Sequence, residues 1–189
     1  MNDTMQFWQD LKSGRFVSMV KESAKGQRLS NSQEVYNVLK PMFAEEDDVE
    51  KVYIIFLDAQ NKILAIEKMF SGSITAASIY SREIVKRLIN LKASAFVMAH
   101  NHPSDDTTPS AEDKSITVKV GIAAASIDVH FHDHIIIGDG YHSMADTGWL
   151  KNVSDRYSSL FESRQSWHGG GRDRTKRNIS GYGETQTIA

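Results

Sequence analysis

Two histidines one residue apart open the most chemically loaded stretch of the 189-residue chain: His100-Asn101-His102-Pro103, six residues, then Ser110-Ala-Glu-Asp113. At the end of a β-strand, residues i and i+2 point the same way. His100 and His102 can therefore aim two imidazoles at one point, with Asn101 facing away and Pro103 stiffening the exit. A helix starting at Ser110 puts Asp113 in its first turn, where its carboxylate can join them. Two imidazoles and one carboxylate suit Zn²⁺ and leave a fourth position for water. Water held there becomes acidic near neutral pH, which makes a nucleophile without cysteine or serine.

The same residues admit a plainer reading. Ser110-x-x-Asp113 has the form of a capping pair, and an acidic side chain suits a helix N-terminus. His-x-His alone is common. Joined to two prolines, Pro103 and Pro109, that frame a polar loop at a strand-to-helix junction, the set points to a metal site. A second group, His130, His132 and His134, alternates along one strand face with Asp133 opposite. For these the expectation is surface positions for His130 and His132, and a structural or supporting position beside the site for His134.

Other zinc and phosphate chemistries lack their residues. The chain has no cysteine, which excludes disulfides, thiolate zinc sites and thiolate nucleophiles. His-x-Glu with Cys-x-x-Cys, as in nucleobase deaminases, does not occur, nor does His-Glu-x-x-His, nor a phosphate-cradling glycine loop. The formal net charge of −2 argues against nucleic-acid binding driven by bulk charge. No secretory signal is read at the start, no apolar run approaches the ~20 residues that span a bilayer, and a cytoplasmic location is expected.

The elements that must position this chemistry follow from periodicity. Residues 1–30 are weakly patterned and read as an N-terminal extension, with a helix near Met5–Leu11. A helix is expected from Asn31, with Val35, Val38, Leu39 and Met42 on one stripe and Pro41 near its end. Glu45–Asp48 form a solvated loop. Val52–Leu57 is a buried strand and Ile63–Phe70 a second, antiparallel to it across the turn at 58–61. Helical spacing over 76–92 precedes a short buried strand, Ala95–Ala99, which delivers His100. A helix from Ser110 to about Ala125, a strand over Ile127–Ile137 and a short strand over Tyr141–Met144 complete an α/β body with a mixed sheet and packed helices. Residues 151–189 carry seven Lys/Arg against four Asp/Glu and read as a disordered, modestly basic tail.

The signature His100-x-His102-Pro-(six residues)-Ser110-x-x-Asp113 resembles that of the JAMM metalloproteases, and most closely the bacterial RadC-type branch. The likeness extends over about residues 30–150. It includes Glu50-Lys-Val-Tyr-Ile-Ile-Phe-Leu-Asp58, Phe70-Ser-Gly-Ser-Ile74, Ser81-Arg-Glu83 and Asp133-His-Ile-Ile-Ile-Gly-Asp-Gly140. Asp105-Asp106 stands where the branch usually has a glycine, and the helix-hairpin-helix segment that often precedes such domains is not recognisable. The resemblance implies a three-layer JAB/MPN, cytidine-deaminase-like fold and a zinc hydrolase acting on a peptide or isopeptide bond. His100, His102 and Asp113 would be ligands, and Ser110 would steady the oxyanion. A glutamate on an upstream strand would handle the proton. Glu50 matches the family position; Glu67, inside the second strand, is the alternative. A different class is also open: a DNA repair or recombination accessory protein, the role attached to the RadC name, with contacts through the basic tail and the Lys/Arg of 82–92. An inactive scaffold is disfavoured because every ligand position is retained.

Overall fold

A computed structural model of the chain describes residues 5, 13–43, 49–72 and 81–165. Its elements are α1 (Arg15–Ala24), α2 (Ser32–Phe43), β1 (Lys51–Leu57), β2 (Ile63–Ser71), α3 (Ser81–Asn90), β3 (Ala95–Asn101), α4 (Ala111–Ala125), β4 (His130–Gly138), β5 (Gly140–Ser143) and α5 (Lys151–Gln165). The strands form one mixed sheet in the order β2-β1-β3-β4-β5. β1 runs antiparallel to β2 and β3, β3 and β4 are parallel, and β5 returns antiparallel to β4.

The central strands are apolar on both sides because both faces of the sheet are covered. One face, with Tyr53, Ile55, Leu57, Val97, Ala99, Ile135 and Ile137, packs on Val35, Leu39 and Met42 of α2. The other, with Val52, Ile54, Phe56, Phe96 and Met98, packs on Ile84 and Leu88 of α3 and Ile116 and Val120 of α4. This is the expected three-layer arrangement. Along β3, His100 continues the Phe96, Met98 side and so lies on the α4 face.

Two expectations about the chain's flanks are corrected. The stretch before residue 31 is not merely an extension: α1 and the following turn bury Val17, Ala24 and Leu29 in the α2-side core. Nor is the chain after Lys151 unstructured throughout, because residues 151–165 form α5. Val153 of that helix is buried against Gly121 of α4, where a Cβ would meet Val153 Cγ1 at 2.5 Å. Tyr157 Oη donates to Ala125 O at 3.1 Å. The expected helix near Met5–Leu11 (apart from residue 5), the expected loop at Glu45–Asp48, residues 76–80 of the helix expected over 76–92 and the tail beyond 165 lie outside the described residues. No helix among the described residues is long and apolar enough to cross a membrane.

Candidate metal centre

Three elements meet at the carboxyl end of β3. β3 extends two residues past Ala99, so His100 is its penultimate residue and the chain leaves the sheet at His102. The exit is held by backbone bonds: His102 N–H donates to Ile137 O (2.8 Å) and Asp105 N–H to His102 O (3.0 Å). Asp105 takes φ 60°, the left-handed region that favours glycine. The loop therefore keeps a glycine-type turn although aspartate occupies the position. Its carbonyl packs so closely on Gly138 that a Cβ there would stand 2.4 Å from Asp105 O.

The loop delivers the chain to the N-terminus of α4. Ser110 caps that helix: its Oγ accepts from Asp113 N–H (3.0 Å), and Ser110 N–H donates to Asp113 Oδ2 (2.8 Å). This capping box is worth about 1 kcal/mol in typical helices. It also fixes the rotamer that turns the carboxylate toward the histidines. His100 Nε2 lies 3.0 Å from Asp113 Oδ1, and His102 Nε2 lies 3.3 Å from Asp113 Oδ2. The two Nε2 atoms are 2.9 Å apart. Cap and candidate ligand are thus one residue, and the two sequence readings of Asp113 are compatible.

These spacings fit a cation. Donor atoms 2.0–2.1 Å from a tetrahedral zinc stand roughly 3.3 Å from one another, close to the separations here. His100, His102 and Asp113 are the group among the described residues that could hold a metal ion, with ligand atoms all within 4.8 Å. His102 Nδ1–H donates to Asp106 O at 2.5 Å, so in the neutral, metal-binding form of the ring the Nε2 lone pair is directed into the cluster. Burial would raise the carboxyl of Asp113, but hydrogen bonds from His100 and His102 outweigh it and hold the group well below the usual carboxylate range. The hydrogen bond to Asp113, against burial, raises His102.

The two candidate glutamates have different surroundings. β1 and β3 pair with Val52 opposite His100, so the same register carried one step outward sets Glu50 opposite His102. Glu50, His102, Ser110 and Asp113 line one open cleft of about 480 Å³, with Pro103, Ser104 and Glu112. Glu67 is engaged elsewhere: Arg87 of α3 grips both its oxygens, with Nε 2.7 Å from Oε2.

The sequence shows Asn101 only as facing away. It does, and there it clamps the backbone on both sides of Glu50. Its Oδ1 accepts from Lys51 N–H (2.7 Å) and its Nδ2 donates to Val49 O (3.1 Å). The histidines of β4 do not share the one face expected of them: an irregularity in the β3–β4 register pairs Asp133 with Val97 and His134 with Met98 on the α4 side, while His132 borders Val97 and Asp133. His130 and His132 stack in parallel, 6.4 Å apart, and His132 Nε2 meets Asn61 Oδ1 at 2.9 Å. His134 is buried against His100, with His134 Nε2 2.8 Å from His100 Nδ1. Burial, then the neighbouring His100, lowers its pKa well below the ordinary histidine value, so the ring stays neutral.

The family profile of the RadC-like JAB domain matches residues 29–149. The chain belongs to the RadC-like JAB domain family. Its five-stranded mixed sheet between helices is consistent with the JAB/MPN fold. This RadC-like chain is 39% identical over 127 residues to a UPF0758 protein of Vibrio vulnificus strain YJ016, covering 67% of the chain and 56% of that relative. A UPF0758 protein of Legionella pneumophila strain Paris is 39% identical over 139 residues, 72% of the chain and 59% of the relative. One of Vibrio atlanticus is 46% identical over 102 residues, 53% and 46% respectively. The RadC-like chain thus spans about half the length of the curated relatives it matches.

Proposed function

We propose that this RadC-like domain is a zinc-dependent hydrolase of peptide or isopeptide bonds. The observation that carries the reading is the convergence of His100 Nε2, His102 Nε2 and the Asp113 carboxylate beside a cleft that also contains Glu50. Zn²⁺ held by those three residues would supply an acidified water and polarise the substrate carbonyl.

The chain's own groups would do the rest. Glu50 would take a proton from the attacking water and hand it to the departing amine nitrogen, so that the C–N bond breaks to a carboxylate and an amine. Asn101 holds the strand backbone on either side of Glu50. Ser110 Oγ, which now donates to Asp113 Oδ2 at 2.6 Å, carries one hydroxyl proton that can turn to the carbonyl oxygen as it gains charge.

The test is a peptide and isopeptide library cleaved by wild type, Glu50→Gln and Glu67→Gln. Glu50→Gln should retain its metal and lose roughly 10²- to 10⁴-fold in turnover, while Glu67→Gln keeps turnover. Undiminished cleavage by Glu50→Gln would overturn the role of that residue. The DNA-associated alternative draws less support from α3, because Arg87 is committed to Glu67 and Arg82 Nε lies 3.2 Å from Glu83. Its other basis, residues 164–189, lies almost wholly outside the described residues. Salt-sensitive DNA binding lost on deleting 164–189 would favour it.

A further inference from the structure

Behind the cluster runs a closed chain of buried polar groups that no ligand role requires. His100, Asp113, His134 and Thr117 are each no more than 2% exposed. His100 Nδ1 meets His134 Nε2 at 2.8 Å, His134 Nδ1 meets Thr117 Oγ1 at 2.6 Å, and Thr117 Oγ1 meets Asp113 O at 2.5 Å. The path leaves one candidate ligand, His100, and returns to the backbone of another, Asp113. β4 supplies His134 because it lies parallel to β3 with His134 paired to Met98, on the α4 face. α4 supplies Thr117 because it is one turn beyond Asp113.

Proton counting fixes the direction of this chain in the metal-binding form. A carbonyl only accepts, so Thr117 Oγ1–H donates to Asp113 O. Its oxygen is then free to accept from His134 Nδ1–H. A neutral imidazole with its proton on Nδ1 has a lone pair on Nε2, which accepts from His100 Nδ1–H. His100 is left with the Nε2 lone pair aimed at Asp113 and His102. Run the other way, the chain would put a proton on His100 Nε2, where it would stand in a cation's place.

We propose that His134 is a positioning residue. It selects the Nδ1–H tautomer of His100 and holds its ring, with Thr117 setting the direction, so that His134 governs metal affinity without touching the metal. This rests on the metal-centre reading above. His134 Nε2 does here what a carboxylate or carbonyl commonly does for a ligating histidine.

The experiment is zinc titration of the full chain, with its melting temperature, for wild type, His134→Phe, His134→Gln, Thr117→Val and Ile135→Ala. His134→Phe should bind zinc about 10- to 100-fold more weakly. His134→Gln, whose amide oxygen can accept from His100, should recover much of that loss. Thr117→Val, nearly isosteric, should weaken zinc by a smaller factor. Ile135→Ala, a core truncation next along β4, should lower the melting temperature and leave zinc affinity unchanged. Nitrogen-15 spectra of zinc-loaded wild type should find the His134 proton on Nδ1. Equal zinc affinity in wild type, His134→Phe and Thr117→Val, or a His134 proton on Nε2, would overturn the proposal while leaving the metal centre intact. Failure of wild type itself to bind zinc would instead remove the metal-centre reading on which it rests.

Discussion

His100 and His102 on β3, and His130 and His132 on β4, share a spacing, a strand setting and a parallel pair of strands, yet their surroundings are opposite. The first pair sits at the carboxyl end of its strand, where α4 begins and Asp113 turns inward from a capping box. The second sits at the amino end of its strand, with the rings stacked and an asparagine amide as the polar partner. Alternation brings two imidazoles to one side of a strand in both places. A carboxylate fixed by a helix start, burial, and separate partners for each Nδ1 are what distinguish the candidate metal centre.

Asp113→Asn should separate the two histidine pairs most strongly. The amide oxygen can still accept from Ser110 N–H, so the helix start should survive with little change in melting temperature. Zinc affinity should fall by at least about 100-fold, more than for an outer partner. Unchanged affinity on titration would mean that Asp113 is only a cap. Gly138→Ala comes next. The added methyl would press on the Asp105 carbonyl, costing about 1–3 kcal/mol in denaturant unfolding. It should also weaken zinc, because the displaced loop carries the carbonyl that orients His102.

The other pair yields smaller effects. Partial loss of hydration at this exposed ring, then the adjacent His130, lowers the pKa of His132 below the ordinary histidine value. A folded pKa below the unfolded one means that the neutral ring's contribution is whole above about pH 6.5. That contribution is lost as the pH falls through the folded value. In metal-free protein, melting temperature should therefore fall less steeply below pH 6.5 for His132→Asn than for wild type; parallel slopes would contradict this. Smallest of all, His130→Ala with His132→Ala should leave zinc affinity unaltered, and a loss would make that pair a rival site.

Much of this was legible in the residues themselves. The β-branched and aromatic run Val52–Leu57 announces a strand covered on both faces, and Ser110 with Asp113 announces the start of α4. β3 outlasts its apolar run because Asn101, fifty residues from Lys51, finds its partners only after β1 and β3 pair. α1 is not legible in the sequence because its inward stripe is thin: Val17 and Ala24 are buried and Val20 half-buried, with Lys21 between them. α5 shows even less, with Val153 and Tyr157 alone on its inner side among residues 151–159. At the site, His100, His102 and Asp113 lie within fourteen residues and declare themselves by spacing. The His134–Thr117 link does not, since strand pairing creates it; its one local signal is that Thr117 follows Asp113 by a helical turn.

The proposed chemistry depends on two imidazoles and one carboxylate holding a single zinc ion. Metal analysis of the purified full chain after zinc loading and dialysis, wild type beside His102→Ala, tests it most directly. One zinc per chain is expected in wild type and essentially none in His102→Ala, with both proteins folded. Zinc-free wild type, or equal zinc in the two, would contradict it.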